Sequence, residues 1–151
     1  MRIEIDDLSG PAVRTLLAEH LADMYATSPA ESVHALDLTA LTHPAITVWT
    51  IWDGEDLLGC AALKELSPVA GEVKSMRTAS AARGRGAGTR LLRHVMDEAG
   101  RRGYQRLSLE TGTQDFFAPA RRLYERHGFV GCPPFADYTD DPNSAYFTLA
   151  W

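Results

Sequence analysis

Cysteine is nearly absent from this chain: there are two in 151 residues, Cys60 in a strand-like stretch and Cys132 after a glycine. They form no C-x-x-C pair, so a disulfide framework is not expected and a reducing cytoplasm is the expected compartment. No apolar run approaches the ~18 residues that span a bilayer, so no membrane association is expected, and no secretory leader is read at the N-terminus. The five histidines are scattered without metal-ligand spacing, and no metal is expected. An excess of positive charge is also lacking. Fifteen Lys and Arg against 20 Asp and Glu give a net charge of −5, which argues against nucleic acid as a partner. Repeats and low-complexity segments are missing. What remains is an ordinary composition, 45% apolar and 23% charged, consistent with one domain over residues 1–151.

Against that background one run stands out: Arg83-Gly84-Arg85-Gly86-Ala87-Gly88-Thr89. It leads into a segment whose apolar residues, Ala87, Leu91, Leu92, Val95, Met96 and Ala99, recur at helical spacing. Glycine permits positive φ and close approach of a ligand to the main chain. The first turn of a helix adds free N–H groups and the positive end of its dipole, which suit a phosphate. Arg83 and Arg85 add charge-assisted donors. A strand-like segment from Glu72 to Thr78 lies just upstream, so strand, loop and helix read as a pyrophosphate cradle.

Arg2–Asp6 alternates as a first strand, and Ser9 is placed to cap a helix with Pro11 in its first turn. Val13, Leu16, Leu17, Leu21 and Met24 form that helix's apolar face, and Pro29 cannot continue it. A loop from Ser28 to His34 and a short helical piece around Leu36–Leu41 follow. Ala45–Trp52 and Leu57–Leu63 flank Asp53-Gly54-Glu55-Asp56 as a hairpin, and a third strand runs from Gly71 to Thr78. The helix over 87–101 ends at Arg101-Arg102-Gly103. A strand over 105–110, a helix from Asp115 to His127, and strands at Phe129-Val130 and Ala145–Leu149 complete the order. The result is an α/β chain with a mixed, mostly antiparallel sheet, whose single β-α-β crossover makes one parallel strand pair.

The loop is no P-loop, because G-x-x-x-x-G-K-S/T is missing. A nucleotide-binding oxidoreductase domain is a stronger rival, since Glu110 ends a strand 22 residues beyond Gly88, where a ribose-binding acid would sit. The spacing here is G-x-G-x-G, however, Ala79–Ala82 separates strand from loop, and one crossover cannot build a doubly wound sheet.

Arg83-x-x-Gly86-x-Gly88 resembles the acyl-CoA signature of the GNAT N-acetyltransferases, Gln/Arg-x-x-Gly-x-Gly/Ala. Leu123-Tyr124-Glu125-Arg126-His127-Gly128-Phe129 is similar to that family's L-Y-x-x-x-G-F segment, in the right order with a strand between. The resemblance covers the chain from Ile3 onward in element order. It implies the GNAT fold, flanking helices included, with acetyl-CoA as co-substrate in a cleft where the parallel pair splays. Backbone groups of Met76, Arg77 and Thr78 would then border the pantetheine arm. The N–H groups of Arg83, Gly84, Arg85, Gly86, Ala87, Gly88 and Thr89 would hold the pyrophosphate. Many members carry Asn seven residues before the motif tyrosine; here Phe117 stands there and implies an apolar contact.

The same resemblance gives Tyr124 the role of general acid to the leaving thiolate, against a core tyrosine sharing a helix face with Phe117 and Ala120. Glu72 lies eleven residues before Arg83, the offset of the base glutamate in the histone-acetylating branch. The alternative is an exposed Glu72–Lys74 pair. On a regular strand Glu72, Lys74 and Met76 share one face, and the Met76 N–H is the natural oxyanion donor. Ser28-Pro29-Ala30-Glu31-Ser32-Val33-His34 looks like the loop of a bacterial branch that reads S-P-x-E-S-V-H. Glu31, Ser32 and His34 are therefore acceptor-contact candidates, against local turn bonds. His20 reads as a satisfied core histidine before a pocket residue. Phe135–Tyr138 is placed to close the pocket, and Asp140–Asn143 reads as a turn. Neither cysteine is placed to carry an acyl-enzyme. The expected activity is direct transfer of acetyl to an amine, a small molecule or a peptide N-terminus, by an enzyme that could form a homodimer. A non-catalytic acyl-CoA-binding module is the other alternative.

Overall fold

A computed structural model describes residues 1–151. Seven strands form one sheet: β1 (Arg2–Ile5), β2 (Ile46–Asp53), β3 (Asp56–Ser67), β4 (Ala70–Thr78), β5 (Arg106–Gly112), β6 (Val130–Gly131) and β7 (Ser144–Ala150). Their spatial order is β1-β2-β3-β4-β5-β7-β6, and every pairing is antiparallel except β4 with β5. A sheet with one parallel pair is not doubly wound, so the dinucleotide rival fails on topology.

The helices are α1 (Pro11–Thr27), α2 (Leu38–Leu41), α3 (Ala87–Arg101) and α4 (Ala118–Arg126). Single 3-10 turns occupy Ala30–Ser32, Ser80–Ala82 and Asp115–Phe117, the last taking the first turn expected of α4. Helix α3 follows from its sequence. Leu91, Leu92, Val95 and Ala99 are fully buried, and each large side chain contributes roughly 1.5–3 kcal/mol by leaving water. Arg101 and Arg102 both reach Glu98 near its end, and Gly103 turns the chain with φ of 81°. The start of α1 differs from expectation. Gly10 is its N-cap, and the Ser9 hydroxyl instead donates to Asp7 at 2.6 Å.

Two apolar layers cover the sheet. One packs α3 and α4 against Trp49, Leu63, Val73, Leu107, Leu109 and Phe147; the other packs α1 and α2 against Val48, Cys60 and Ala62. The feature that positions the site is the brevity of the β4–β5 pairing. Only Ala70–Arg106, Gly71–Leu107 and Glu72–Ser108 are partners. Beyond them the strands diverge and leave the β4 edge from Lys74 to Thr78 open.

Strand β4 also carries a bulge. Lys74 pairs with Ala62 and Arg77 with Cys60, so Ser75 and Met76 together face one residue, and Ser75 takes φ of 50°. The extra residue breaks the expected alternation. Glu72 and Lys74 point away from the α3 layer, but Met76 joins Val73 in that layer, and Arg77 swings to α1, where it pairs with Asp23 at 2.6 Å.

Candidate active site

The divergence of β4 and β5 opens a cavity of about 700 Å³ between the α3 N-terminus and the loops over the far side of the sheet. Its phosphate end is built by the glycine loop. Gly84 and Gly86 have φ of 81° and 82°, the left-handed region that costs glycine least. Arg90 is the first residue of α3 to bond back, to the Gly86 carbonyl at 3.1 Å. The N–H groups of Ala87, Gly88 and Thr89 therefore have no intrahelical partner and line the cavity with Arg83, Gly84 and Gly86. Arg85 stands apart from that wall: its side chain pairs with Asp53 at 2.5 Å and its N–H bonds Ala82. Its expected contact with the pyrophosphate is not prepared in this arrangement.

The middle of the cavity is bounded by Met76, Arg77 and Thr78 on one side and by Phe117, Ala120 and Tyr124 on the other. Phe117 is held across Gly112, where an added Cβ would lie 2.2 Å from its ring, so only glycine fits there. Tyr124 is buried against Phe129, yet its hydroxyl makes no hydrogen bond within the protein. Burial raises its pKa, and the nearby Glu110 carboxylate raises it further, so the phenol keeps its proton.

At the far end Glu72 is 3% exposed. Its Oε2 accepts from the Tyr138 hydroxyl at 2.6 Å and from Lys74 Nζ at 3.2 Å, while Lys74 also donates to Tyr138 at 2.9 Å. Its Oε1 has no partner in the protein, and the residue lines the cavity. The Glu72–Lys74 pair thus exists but is buried rather than exposed, because the loop bearing Tyr138 covers it. Tyr138 itself is packed edge-on against His34 and Phe135.

The acceptor loop divides. His34 lines the cavity, whereas Glu31 is exposed and does not. Ser32 also lines the cavity, and it is buried and reaches across the chain: its hydroxyl donates to Asp141 at 2.5 Å and accepts from Asn143. Its bonds are therefore not local. That hydrogen bond holds the Asp141 carboxyl below its usual range. A turn does form, over Asp141–Ser144 and one residue on from the expected Asp140–Asn143, closed by Ser144 N–H to the Asp141 carbonyl, and it brings Asn143 to the cavity wall. His20 lines the cavity too, and its Nδ1 is buried without a partner. It is not a satisfied core histidine; desolvation, reinforced by the Arg77 charge, lowers its pKa to about 4.

Glu110, weighed only as a ribose-binding acid, faces the same cavity, and desolvation raises its pKa. Its position two residues past Ser108 on a strand was the available signal. Cys60 is buried and its thiol is pushed up to about 12 by desolvation, which removes it as a nucleophile at neutral pH.

Residues 13–129 match the acetyltransferase (GNAT) family model. The chain belongs to the GNAT family. It is 53% identical over 148 residues to YsnE of Bacillus subtilis, described as an uncharacterized N-acetyltransferase, with 98% of each chain covered. It is 49% identical to YedL of Escherichia coli, described in the same words, over 97% of this chain and 92% of that one. A GNAT family acetyltransferase of Elizabethkingia anophelis with acetyl-CoA bound superposes with a TM-score of 0.71 at 16% identity, covering 99% and 97%. In this GNAT acetyltransferase the loop, Tyr124 and Glu72 therefore occupy one cavity of a fold whose solved members include an acetyl-CoA complex. No three or more His, Cys, Asp and Glu side chains cluster in a way that could hold a metal ion, and no helix is long and apolar enough to cross a membrane.

Proposed function

We propose that this chain transfers acetyl directly from acetyl-CoA to an amine within a ternary complex. The observation that carries the reading is the single cavity holding an N–H cradle at one end, an unpartnered phenol in the middle and a carboxylate with a free oxygen at the other. The residues present fit acetyl-CoA: the α3 N-terminus suits its pyrophosphate, the open β4 edge its amide-bearing arm, and Phe117 an apolar stretch of that arm.

Amines enter water mostly as ammonium, and Glu72 Oε1 takes one proton so that the nitrogen can attack the thioester carbon. The Met76 N–H is the donor assigned to the oxygen that gains charge. As the C–S bond breaks, Tyr124 gives its proton to sulfur, and the second proton leaving nitrogen restores the phenol. The net change is one amide, one free thiol and one proton released. His34 borders the acceptor, and Ser32 acts on it by fixing the Asp141 loop.

The test is CoA-thiol release by the purified chain across an amine panel, with Glu72→Gln alongside. We expect Glu72→Gln to lower the rate at neutral pH and to lose less at high pH, where the amine arrives neutral. Tight CoA binding with no turnover of any amine would overturn the reading in favour of a binding module.

A further inference from the structure

The acceptor end of the cavity has an uneven charge. The register that pairs Glu72 with Ser108 carries Lys74 opposite Glu110 as the strands part. Leu109 lies in the α3 layer, so Glu110 projects to the other side of the sheet, as Glu72 does. Glu110 lines the cavity and forms no ion pair. Lys74 is engaged by Glu72 and Tyr138, and Arg77 is engaged by Asp23 at 2.6 Å. His20 stays neutral at physiological pH. Two carboxylates therefore face the space with one lysine between them, and Glu72, almost wholly buried, turns an unpartnered Oε1 toward it. The wall beside them is aromatic, and Lys74 already sits 5.5 Å from the centre of the Tyr138 ring, a placement that suits a cation.

We propose that the acceptor is a primary amine that enters as an isolated cation, with no carboxylate near the nitrogen, and that Glu110 is the residue that selects it. This rests on reading the cavity as the acetyl-transfer site. An ammonium between Glu110 and Glu72 Oε1 supplies the missing positive charge and delivers its nitrogen to the base. The carboxylate of an α-amino acid would meet like charge at this end of the cavity, where Lys74 is already engaged by Glu72 and Tyr138. Both terms select against it.

The experiment compares matched pairs that differ by one carboxylate: tyramine with tyrosine, phenethylamine with phenylalanine, and putrescine with ornithine. CoA-thiol release is measured with wild type and Glu110→Gln, and CoA binding is followed separately by calorimetry. We expect the decarboxylated member of each pair that reacts to have a kcat/KM at least about tenfold higher. In Glu110→Gln we expect acceptor KM to rise, that preference to shrink, and CoA affinity to stay unchanged. Equal or better turnover of the amino acids overturns the proposal and leaves acetyl transfer standing. Unchanged selectivity in Glu110→Gln removes Glu110 as the selector. Intact CoA binding with no turnover of any pair overturns this proposal, and the wider amine panel decides acetyl transfer itself.

Discussion

The Tyr138 hydroxyl donates to Glu72 Oε2 at 2.6 Å across 66 positions of sequence. Burial, and after it the Glu72 charge, raise the Tyr138 pKa, so this donor stays a donor. With Lys74 it fixes one oxygen of Glu72 and leaves the other to the cavity. We expect Tyr138→Phe to lower kcat about tenfold or more, the scale of a hydrogen bond to a charged group, with acetyl-CoA binding unchanged. Steady-state kinetics beside calorimetry checks this; an unchanged kcat would make the contact structural only.

Tyr124→Phe is expected to lower kcat by about 10²-fold or more while acetyl-CoA affinity holds. The hydroxyl has no partner in the protein, so its loss should scarcely alter the melting temperature. A variant that melts earlier but turns over normally would return Tyr124 to a packing role.

Gly88→Ala separates ligand approach from folding. An added Cβ would meet Thr78 Oγ1 at 3.4 Å and Leu123 Cδ2 at 3.5 Å, ordinary contacts, so the fold should hold. CoA affinity should fall, because the methyl group stands where the main chain is open to the ligand. Gly86→Val should weaken CoA and also cost about 1–2 kcal/mol of stability, since a β-branched residue resists φ of 82°. Calorimetry and urea unfolding distinguish the two. Wild-type CoA affinity in Gly88→Ala would move the ligand away from this turn.

His20 makes an acid-sensitive contribution. Its pKa is about 4 when folded against 6.5 for the free side chain, so the unfolded chain binds its proton first as pH falls. Stability is intact above pH 6.5 and declines toward pH 4 by up to about 3 kcal/mol from this residue. Urea unfolding of His20→Gln should show a shallower decline over that window than wild type. Parallel curves would mean that His20 is solvated in the folded protein.

Much of this was legible in the sequence because it is local. The glycine loop, the apolar spacing of 87–101 and the terminal Arg-Arg-Gly place α3 with the observed bounds, and Tyr124 follows from the spacing around Gly128. Residues joined only by folding were less visible. Nothing near Ser32 signals Asp141, and nothing near Glu72 signals Tyr138, because those contacts are made by a loop that returns from the far end of the chain. Glu110 is ambiguous in the sequence because one acidic strand end suits several ligands, and only the splay shows which cavity it faces. Strict alternation puts Met76 on the face of Glu72 and Lys74, and the bulge at Ser75 reverses it.

That bulge decides how β4 tolerates a change of length. Lys74 faces α1, and in plain alternation its successor faces α3, so removing Ser75 would bring Met76 into that place with its side chain still toward α3 and leave Arg77 toward Asp23. Losing the extra residue would straighten the strand without exchanging its faces. Straightening it with Ser75 kept is what would exchange them: Met76 would turn toward α1, and the Arg77 guanidinium would enter the apolar layer beneath α3. The lining of the cavity therefore depends on one surplus residue, which β4 can lose more safely than it can pair.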